Sequence, residues 1–567
     1  MNTSNKSNIN PSPLGGGAGG GLKLLLLGDE AIALGAINAG LSGVYAYPGT
    51  PSTEVTEYIQ KNPVAKERNI HSRWSTNEKT AMEAALGMSY MGKRAMVCMK
   101  HVGLNVCMDP FVNSGMTGVN GGVVVLVADD PSMHSSQDEQ DSRYLGAFAM
   151  IPVLEPSTQQ EAYDMMAYAF DLSEKQKTPV LMRVVTRMAH SRAVVEVAEE
   201  ARPQNEMNFN SEAKDWVLLP GNARRKNDIL CAKQADFEEE SMSAGWNKVE
   251  AGGVNLGIVC SGIAYNYVKE VLAADETLAD QCYVLKISQY PLPKETIATM
   301  CGHCEKVLVV EDGQPFIEEK MSGLLPQAEW EICGRLTGHL PRTGELTPDS
   351  VAEGIKKCLA EVMELEYEPS APETVPQIVA PRPPALCQGC GHRSVYEALN
   401  LVIAEYENAR VFGDIGCYTL GFLPPFRTLS SCVDMGASIT MAKGAADAGL
   451  HPSVAVIGDS TFTHSGMTGL LDAINENANI TVVISDNLTT AMTGGQDSAG
   501  LNKYEQICIG LGADPAHVRV VVPLPKNMDE ITQVIREEIE YNGVSIIIPR
   551  RECLQTLARH LKEKKNK

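Results

Sequence analysis

An aspartate and an asparagine stand at the ends of two apolar runs in VIGDSTFTHSGMTGLLDAINENANITVVISDN, which spans 456–487. The first run, VAVIGD, closes on Asp459, and the second, ITVVISDN, closes on Asp486 and Asn487. Two buried strands joined by a crossover helix bring their carboxyl ends side by side. A carboxylate and an amide carbonyl placed there form a donor set for Mg2+, which prefers oxygen ligands and shares them with phosphates. In this reading Asp459 is the anionic ligand, Asn487 the neutral one, and a backbone carbonyl near Thr489 completes the protein's share. Gly458 lets the backbone pass close, and amides following Ser460 meet phosphate oxygens at a helix start. An ordinary Gly-Asp turn and an Asn cap would explain the residues singly. The 26 residues between Ser460 and Asn487, helical in pattern and flanked by strands, favour a metal and diphosphate site.

The elements that must position this pair belong to an α/β chain of three open layers. A block over 22–195 alternates strands (LKLLLL, GVYAYPG, AMVCMK, GVVVLVAD, TPVLMRV) with helical segments such as EKTAMEAALGMSYMG. That alternation predicts a mostly parallel sheet covered on both faces. The polar stretch 196–250 reads as a linker or insertion. A middle domain follows over 251–362 (VNLGIVCSG, CYVLKISQ, KVLVVED), then an acidic and proline-rich linker over 363–386. The last block, 387–567, carries RVFGDIG, SVAVIGD, ITVVISD, VRVVVP and VSIIIP. Residues 1–21 are polar and glycine-rich and read as a disordered tail.

With 567 residues the chain is too long for one hydrophobic core. Its net charge of −22 argues against nucleic acid as a partner. The run LKLLLLG is too short for a membrane span and lacks the charged start of an export signal, so a cytoplasmic protein with mostly reduced cysteines is expected. Two CxxC pairs, Cys301–Cys304 and Cys387–Cys390, lie more than eighty residues apart, unlike a zinc module. No ferredoxin-type four-cysteine run occurs, so no iron–sulfur cluster is expected in this chain.

A long cofactor anchored by its phosphates needs a second contact, and the first block offers one. Glu78 begins the helical pattern in SRWSTNEKTAMEAALG, where on sequence physics alone it is a carboxylate favoured by the helix dipole. The strings YAYPGTPSTEV, RWSTNEKTAMEAALGMSYMGKRAMVCMKHVGLNVCMDP and VVLVADDPSMHSSQDEQDSR, with LCQGCGHRSVY, FGDIGCYTLG, IGDSTFTHSG and ISDNLTTAMTGGQ, are similar to the alpha subunits of indolepyruvate:ferredoxin oxidoreductases. The resemblance covers 22 to about 556.

It implies a Pyr-type thiamine diphosphate domain first, a transketolase-C-like domain in the middle, and a PP-type domain binding the diphosphate and Mg2+ last. By resemblance Glu78 meets the aminopyrimidine, while Pro48, Gly49, Gly391, His392, Gly416, Cys417 and Tyr418 join Gly458, Asp459, Ser460, Asn487 and Thr489 around the cofactor. Lys100 and His101 face the reacting end, His101 as a donor to the substrate carboxylate or a developing oxyanion. HSSQDEQDSR is either a solvated loop or the wall of the substrate entrance.

The implied reaction is oxidative decarboxylation of an aryl 2-oxoacid with coenzyme A, electrons passing to a partner subunit or ferredoxin. The implied assembly is a heterotetramer of paired chains with a smaller gamma-type subunit. Relatives of this kind commonly continue into a ferredoxin-like domain, whereas this sequence ends KEKKNK. A non-oxidative decarboxylase or carboligase is therefore the alternative, and a non-catalytic regulatory relative a third.

Overall fold

The computed structural model describes residues 22–208, 213–250, 252–323, 331–370, 378, 380 and 382–565; the tail over 1–21 lies outside them. Residues 1–373 and 374–567 form two compact units. The first holds a seven-stranded sheet in the order Gln289–Tyr290, Val153–Leu154, Val180–Val185, Val123–Asp129, Ala95–Lys100, Gly43–Ala46 and His71–Trp74. All its neighbours are parallel except the pairing of Gln289–Tyr290 with Val153–Leu154. Every residue of VVVLVAD (Val123–Asp129) is buried, as a strand covered by helices on both faces must be.

The expected strand Leu22–Leu27 forms, but not in that sheet. It pairs antiparallel with Arg192–Val197 in a separate two-stranded ribbon. Leu22 and Leu25 on this ribbon are exposed. The apolar run thus signalled a strand without revealing its partner. The polar stretch read as a linker contains a 24-residue helix, Pro220–Ser243, of which Leu230, Phe237 and Ser241 are buried. With so few inward residues its apolar stripe is too thin to register as helical periodicity.

A second sheet in the same unit runs Glu331–Cys333, Lys306–Val310, Leu256–Ser261, Cys282–Ile287 and Lys248–Glu250, parallel except at the last pairing. The two sheets share apolar cores and a buried charge network. Arg143 pairs with Asp141 at 2.5 Å and with Glu311 at 2.9 Å. Arg183 pairs with Asp129 at 2.6 Å and with Glu155, and donates to the Asp312 carbonyl at 2.8 Å.

The second unit is a parallel sheet in the order Arg410–Gly413, Ser453–Gly458, Ile480–Ser485, Val544–Pro549 and Val518–Val521. Val454 sits opposite Thr481 and Gly458 opposite Ser485. This register brings the residues after both strands to one edge, where open α/β sheets bind ligands.

Candidate functional site

In the second unit the carboxylate and amide singled out by spacing do meet. Asp459 follows strand Ser453–Gly458 and opens a helical segment that passes through one wide turn (Phe462–Gly466) into Met467–Asn475. Its Oδ1 accepts from the Ser460 amide at 2.7 Å and its Oδ2 from the Thr489 amide at 3.2 Å. The same Thr489 amide lies 3.2 Å from Asn487 Oδ1. The three residues expected to bind one metal therefore converge on a single N–H. The Ser460 amide is turned to the Asp459 carboxylate, which leaves the amides following Ser460 as the ones proposed to meet phosphate. Ser460 Oγ lies 2.8 Å from Thr490 Oγ1, and Thr489 Oγ1 donates to the Gln496 carbonyl at 2.9 Å, fixing the loop after Ile480–Ser485.

Electrostatics mark Asp459 as unusual. Burial, followed by the neighbouring Asp486 carboxylate, pushes its carboxyl up to about 8. Asp486 has its own counterion, Arg550, at 2.5 Å, whereas Asp459 has no ion pair among the described residues. Mg2+ would supply the missing positive charge, and two oxygens on adjacent strand ends fit its donor preference.

Beside these residues lies a cavity of about 300 Å³, lined by Gly391, His392, Cys417, Asp486 and Asn487 among others. Burial lowers the His392 imidazole to about 4, so it is neutral at ordinary pH. Gly416 and Tyr418 are not in the lining. The Tyr418 hydroxyl hydrogen-bonds Asp414 and the Ile415 carbonyl. Its ring fills the space where a Cβ on Gly458 would stand, 2.6 Å from the ring edge. The glycine thus makes room for a tyrosine, where the sequence suggested room for a ligand.

Four cysteines line this cavity: Cys387, Cys390, Cys417 and Cys553. Burial, and then the other three thiols, hold Cys417 up at about 12. Sequence reasoning missed Cys553, which follows strand Val544–Pro549 and whose amide donates to the Asn487 carbonyl at 3.0 Å. Its position just past a parallel strand's carboxyl end was the available signal.

In the first unit, parallel strands Gly43–Ala46, His71–Trp74 and Ala95–Lys100 bring Pro48, Gly49, Glu78, Lys100 and His101 toward one sheet edge. Glu78 is the first residue of helix Glu78–Tyr90, capped by Asn77, whose side chain accepts from the Thr80 amide at 2.9 Å. The buried Glu78 carboxylate lies where a Cβ on Gly103 would come within 2.5 Å of it, so helix His101–Val106 has a gap for it. A Cβ on Gly49 would stand 3.2 Å from the Lys100 side chain.

Lys100 and His101 are held by the loop that the sequence left between solvation and function. Lys100 Nζ donates to the Ser135 carbonyl at 2.6 Å, and burial lowers its ammonium. His101 is 1% exposed; its Nε2 lies 3.3 Å from Asp138, and its Nδ1 has no hydrogen-bond partner among the described residues. Asp130 draws the same loop inward, accepting from the Ser135 amide at 2.8 Å and the Ser136 hydroxyl at 2.5 Å.

Comparison with known proteins places both units in a family. Residues 34–244 match the family model for the thiamine diphosphate-binding part of pyruvate flavodoxin/ferredoxin oxidoreductases. Residues 414–548 match the C-terminal binding domain of thiamine pyrophosphate enzymes. These matches and the fold define a thiamine diphosphate-dependent 2-oxoacid oxidoreductase, with Pyr-type and PP-type domains and a transketolase-C-like middle domain.

The chain is 38% identical over 552 residues to indolepyruvate oxidoreductase subunit IorA of Archaeoglobus fulgidus, covering 94% of this chain and 87% of that one. Against the IorA of Pyrococcus horikoshii it is 38% identical over 568 residues, covering 94% and 86%. The chain belongs to the IorA family of indolepyruvate oxidoreductase subunits. Among solved structures it aligns with 2-oxoglutarate:ferredoxin oxidoreductase of Magnetococcus marinus at TM-score 0.48 and 18% identity, over 59% of this chain and 65% of that one. That likeness is too loose to place individual residues. No helix among the described residues is long and apolar enough to cross a membrane.

Proposed function

We propose that this chain carries the thiamine-dependent half of an oxidative decarboxylation, converting an indolepyruvate-like aryl 2-oxoacid and coenzyme A to an acyl-CoA. The observation that carries the reading is the convergence of Asp459 and Asn487 on the Thr489 amide, with Asp459 buried and in no ion pair among the described residues. In this reading Asp459, the Asn487 side chain and the Thr489 carbonyl hold Mg2+ on the cofactor's diphosphate. When bound, thiamine diphosphate supplies the nucleophilic carbon and the electron sink. Glu78 accepts a hydrogen bond from the aminopyrimidine. His101, with Nε2 held by Asp138, offers Nδ1 to take or return a proton at the reacting end, and Lys100 gives positive charge beside it.

Oxidation leaves two electrons that must depart. With no ferredoxin-type cysteine run in this chain, they leave to a partner subunit or ferredoxin. A smaller partner subunit, pairing of two copies of this chain, a terminal acceptor such as ferredoxin, and a cytoplasmic location complete the proposal.

The test is anaerobic purification with copurifying subunits, iron and sulfide analysis, and CO2 release from indolepyruvate with and without coenzyme A and an electron acceptor. CO2 release that needs both coenzyme A and acceptor is expected. Release without either would replace the proposal by the non-oxidative decarboxylase.

A further inference from the structure

Away from the cofactor residues, the middle sheet carries a cluster that this function does not use. Cys333 ends the edge strand Glu331–Cys333, His339 lies in the loop that follows, and Cys358 lies on helix Pro348–Val362. One ligand atom from each stands within 4.8 Å of the other two. Both cysteines are buried, and only 8% of the His339 side chain is exposed. Glu361, one turn beyond Cys358, brings Oε2 to 2.9 Å from His339 Nε2.

We propose that Cys333, Cys358, His339 and Glu361 form a structural Zn2+ site. Zinc takes thiolate sulfur at about 2.3 Å and imidazole nitrogen at about 2.0–2.1 Å in a tetrahedron, which puts neighbouring donors roughly 3.3–3.8 Å apart. The ligand atoms of Cys333, His339 and Cys358, within 4.8 Å of one another, would draw in by up to about 1.5 Å to reach that geometry, and Glu361, now hydrogen-bonded to His339, would swing in as the fourth donor. The donor set is mixed sulfur, nitrogen and oxygen, which suits zinc better than Mg2+ or Ca2+.

Charge also balances. Two thiols lose their protons on binding, and the resulting thiolates neutralise the ion. Lys306 Nζ pairs with Glu361 and, at 3.1 Å, with Glu331, so the carboxylates around the thiolates already have an ammonium beside them. Glu331 Oε1 in turn lies 3.6 Å from Cys333 Sγ.

The placement states what such an ion would do. The loop between Cys333 and helix Pro348–Val362 contains Arg335, whose guanidinium donates to the Glu311 carbonyl at 3.1 Å and pairs with Asp312 at 3.3 Å. It also contains Glu345, which pairs with Arg187 at 2.7 Å and His134 at 3.3 Å on the first sheet's side of the unit. A zinc staple on both flanks of this loop would fix its base to the edge strand and the helix. The loop could then hold its contacts with Arg187 and His134 without support from an outer strand.

Metal analysis of the untagged chain, purified under reducing conditions and re-equilibrated with Zn2+ before gel filtration, tests the site. About one zinc per chain is expected, falling at least tenfold in Cys333→Ser/Cys358→Ser and staying in Cys390→Ser/Cys553→Ser, which removes thiols from the other cavity. Zinc-edge absorption spectroscopy of the latter variant should show two sulfur and two nitrogen or oxygen neighbours. If the double-serine chain does not fold, His339→Gln gives the same readout. Zinc below a tenth of an atom per chain, or zinc that survives loss of Cys333 and Cys358, would overturn the proposal. Either result is independent of whether the cofactor binds.

Discussion

Two groups of buried carboxylates in this chain are solved in opposite ways. Between the sheets of the first unit, Asp129, Asp141, Glu155 and Glu311 surround Arg143 and Arg183, so each carboxylate has a guanidinium close by. At the strand ends of the second unit, Asp486 has Arg550, while the equally buried Asp459 has backbone amides and no ion pair among the described residues. Burial of a charge without a counterion is expensive, and a protein ordinarily avoids it by pairing or by taking up a proton. The first group is complete in itself and acts on stability. The second has no such counterion at Asp459, and under the proposed function Mg2+ would supply it.

The contrast can be broken from either side. The largest effect is expected at Glu78, a buried carboxylate assigned to chemistry: Glu78→Gln should lower turnover by roughly 10²–10⁴. Its denaturant midpoint should match that of the parent chain. Equal turnover in a steady-state assay would remove Glu78 from its role.

Next comes Arg183. Arg183→Met leaves Asp129 and Glu155 buried without their guanidinium, and should destabilise the first unit by about 3–5 kcal/mol. Denaturant unfolding followed by a first-unit probe measures this. A loss under 1 kcal/mol would mean the network is ornamental.

The smallest effect is a pH dependence. Without metal, Asp459 holds its proton up to about 8, against 3.8 for an ordinary aspartate. Mg2+ binds the carboxylate and must displace that proton. Affinity for the Mg2+–diphosphate pair should therefore fall about fivefold from pH 8 to pH 7 and change little above pH 9. A flat calorimetric profile between pH 7 and 9 would show that Asp459 is already ionised.

The sequence disclosed these sites unevenly, for physical reasons. Asp459 and Asn487 were legible because a parallel sheet puts the residues after each strand at one edge, so strand, helix and strand spacing translates into proximity. Glu78 was legible as a helix start because Asn77 is a capping residue. Side-chain direction was not legible: GDIGCYTLG gives no sign that Tyr418 turns inward to Asp414 while Cys417 faces the cavity. Nor was partnership across long separations. Cys553 reaches Cys387, Cys390 and Cys417 only after the strand Val544–Pro549 has joined the sheet. The inward pull of the HSSQDEQDSR loop depends on Asp130 and Asp138 finding Lys100, Ser135, Ser136 and His101, which polar composition alone does not encode.

The most direct measurement is titration calorimetry of thiamine diphosphate with Mg2+ into the parent chain and into Asp459→Asn, which keeps an acceptor for the Ser460 amide but removes the charge. The variant should lose about a hundredfold or more in affinity while its cofactor-free form unfolds no more easily than the parent. Undiminished cofactor uptake by Asp459→Asn would contradict the claim that this strand-end carboxylate is the metal's anchor.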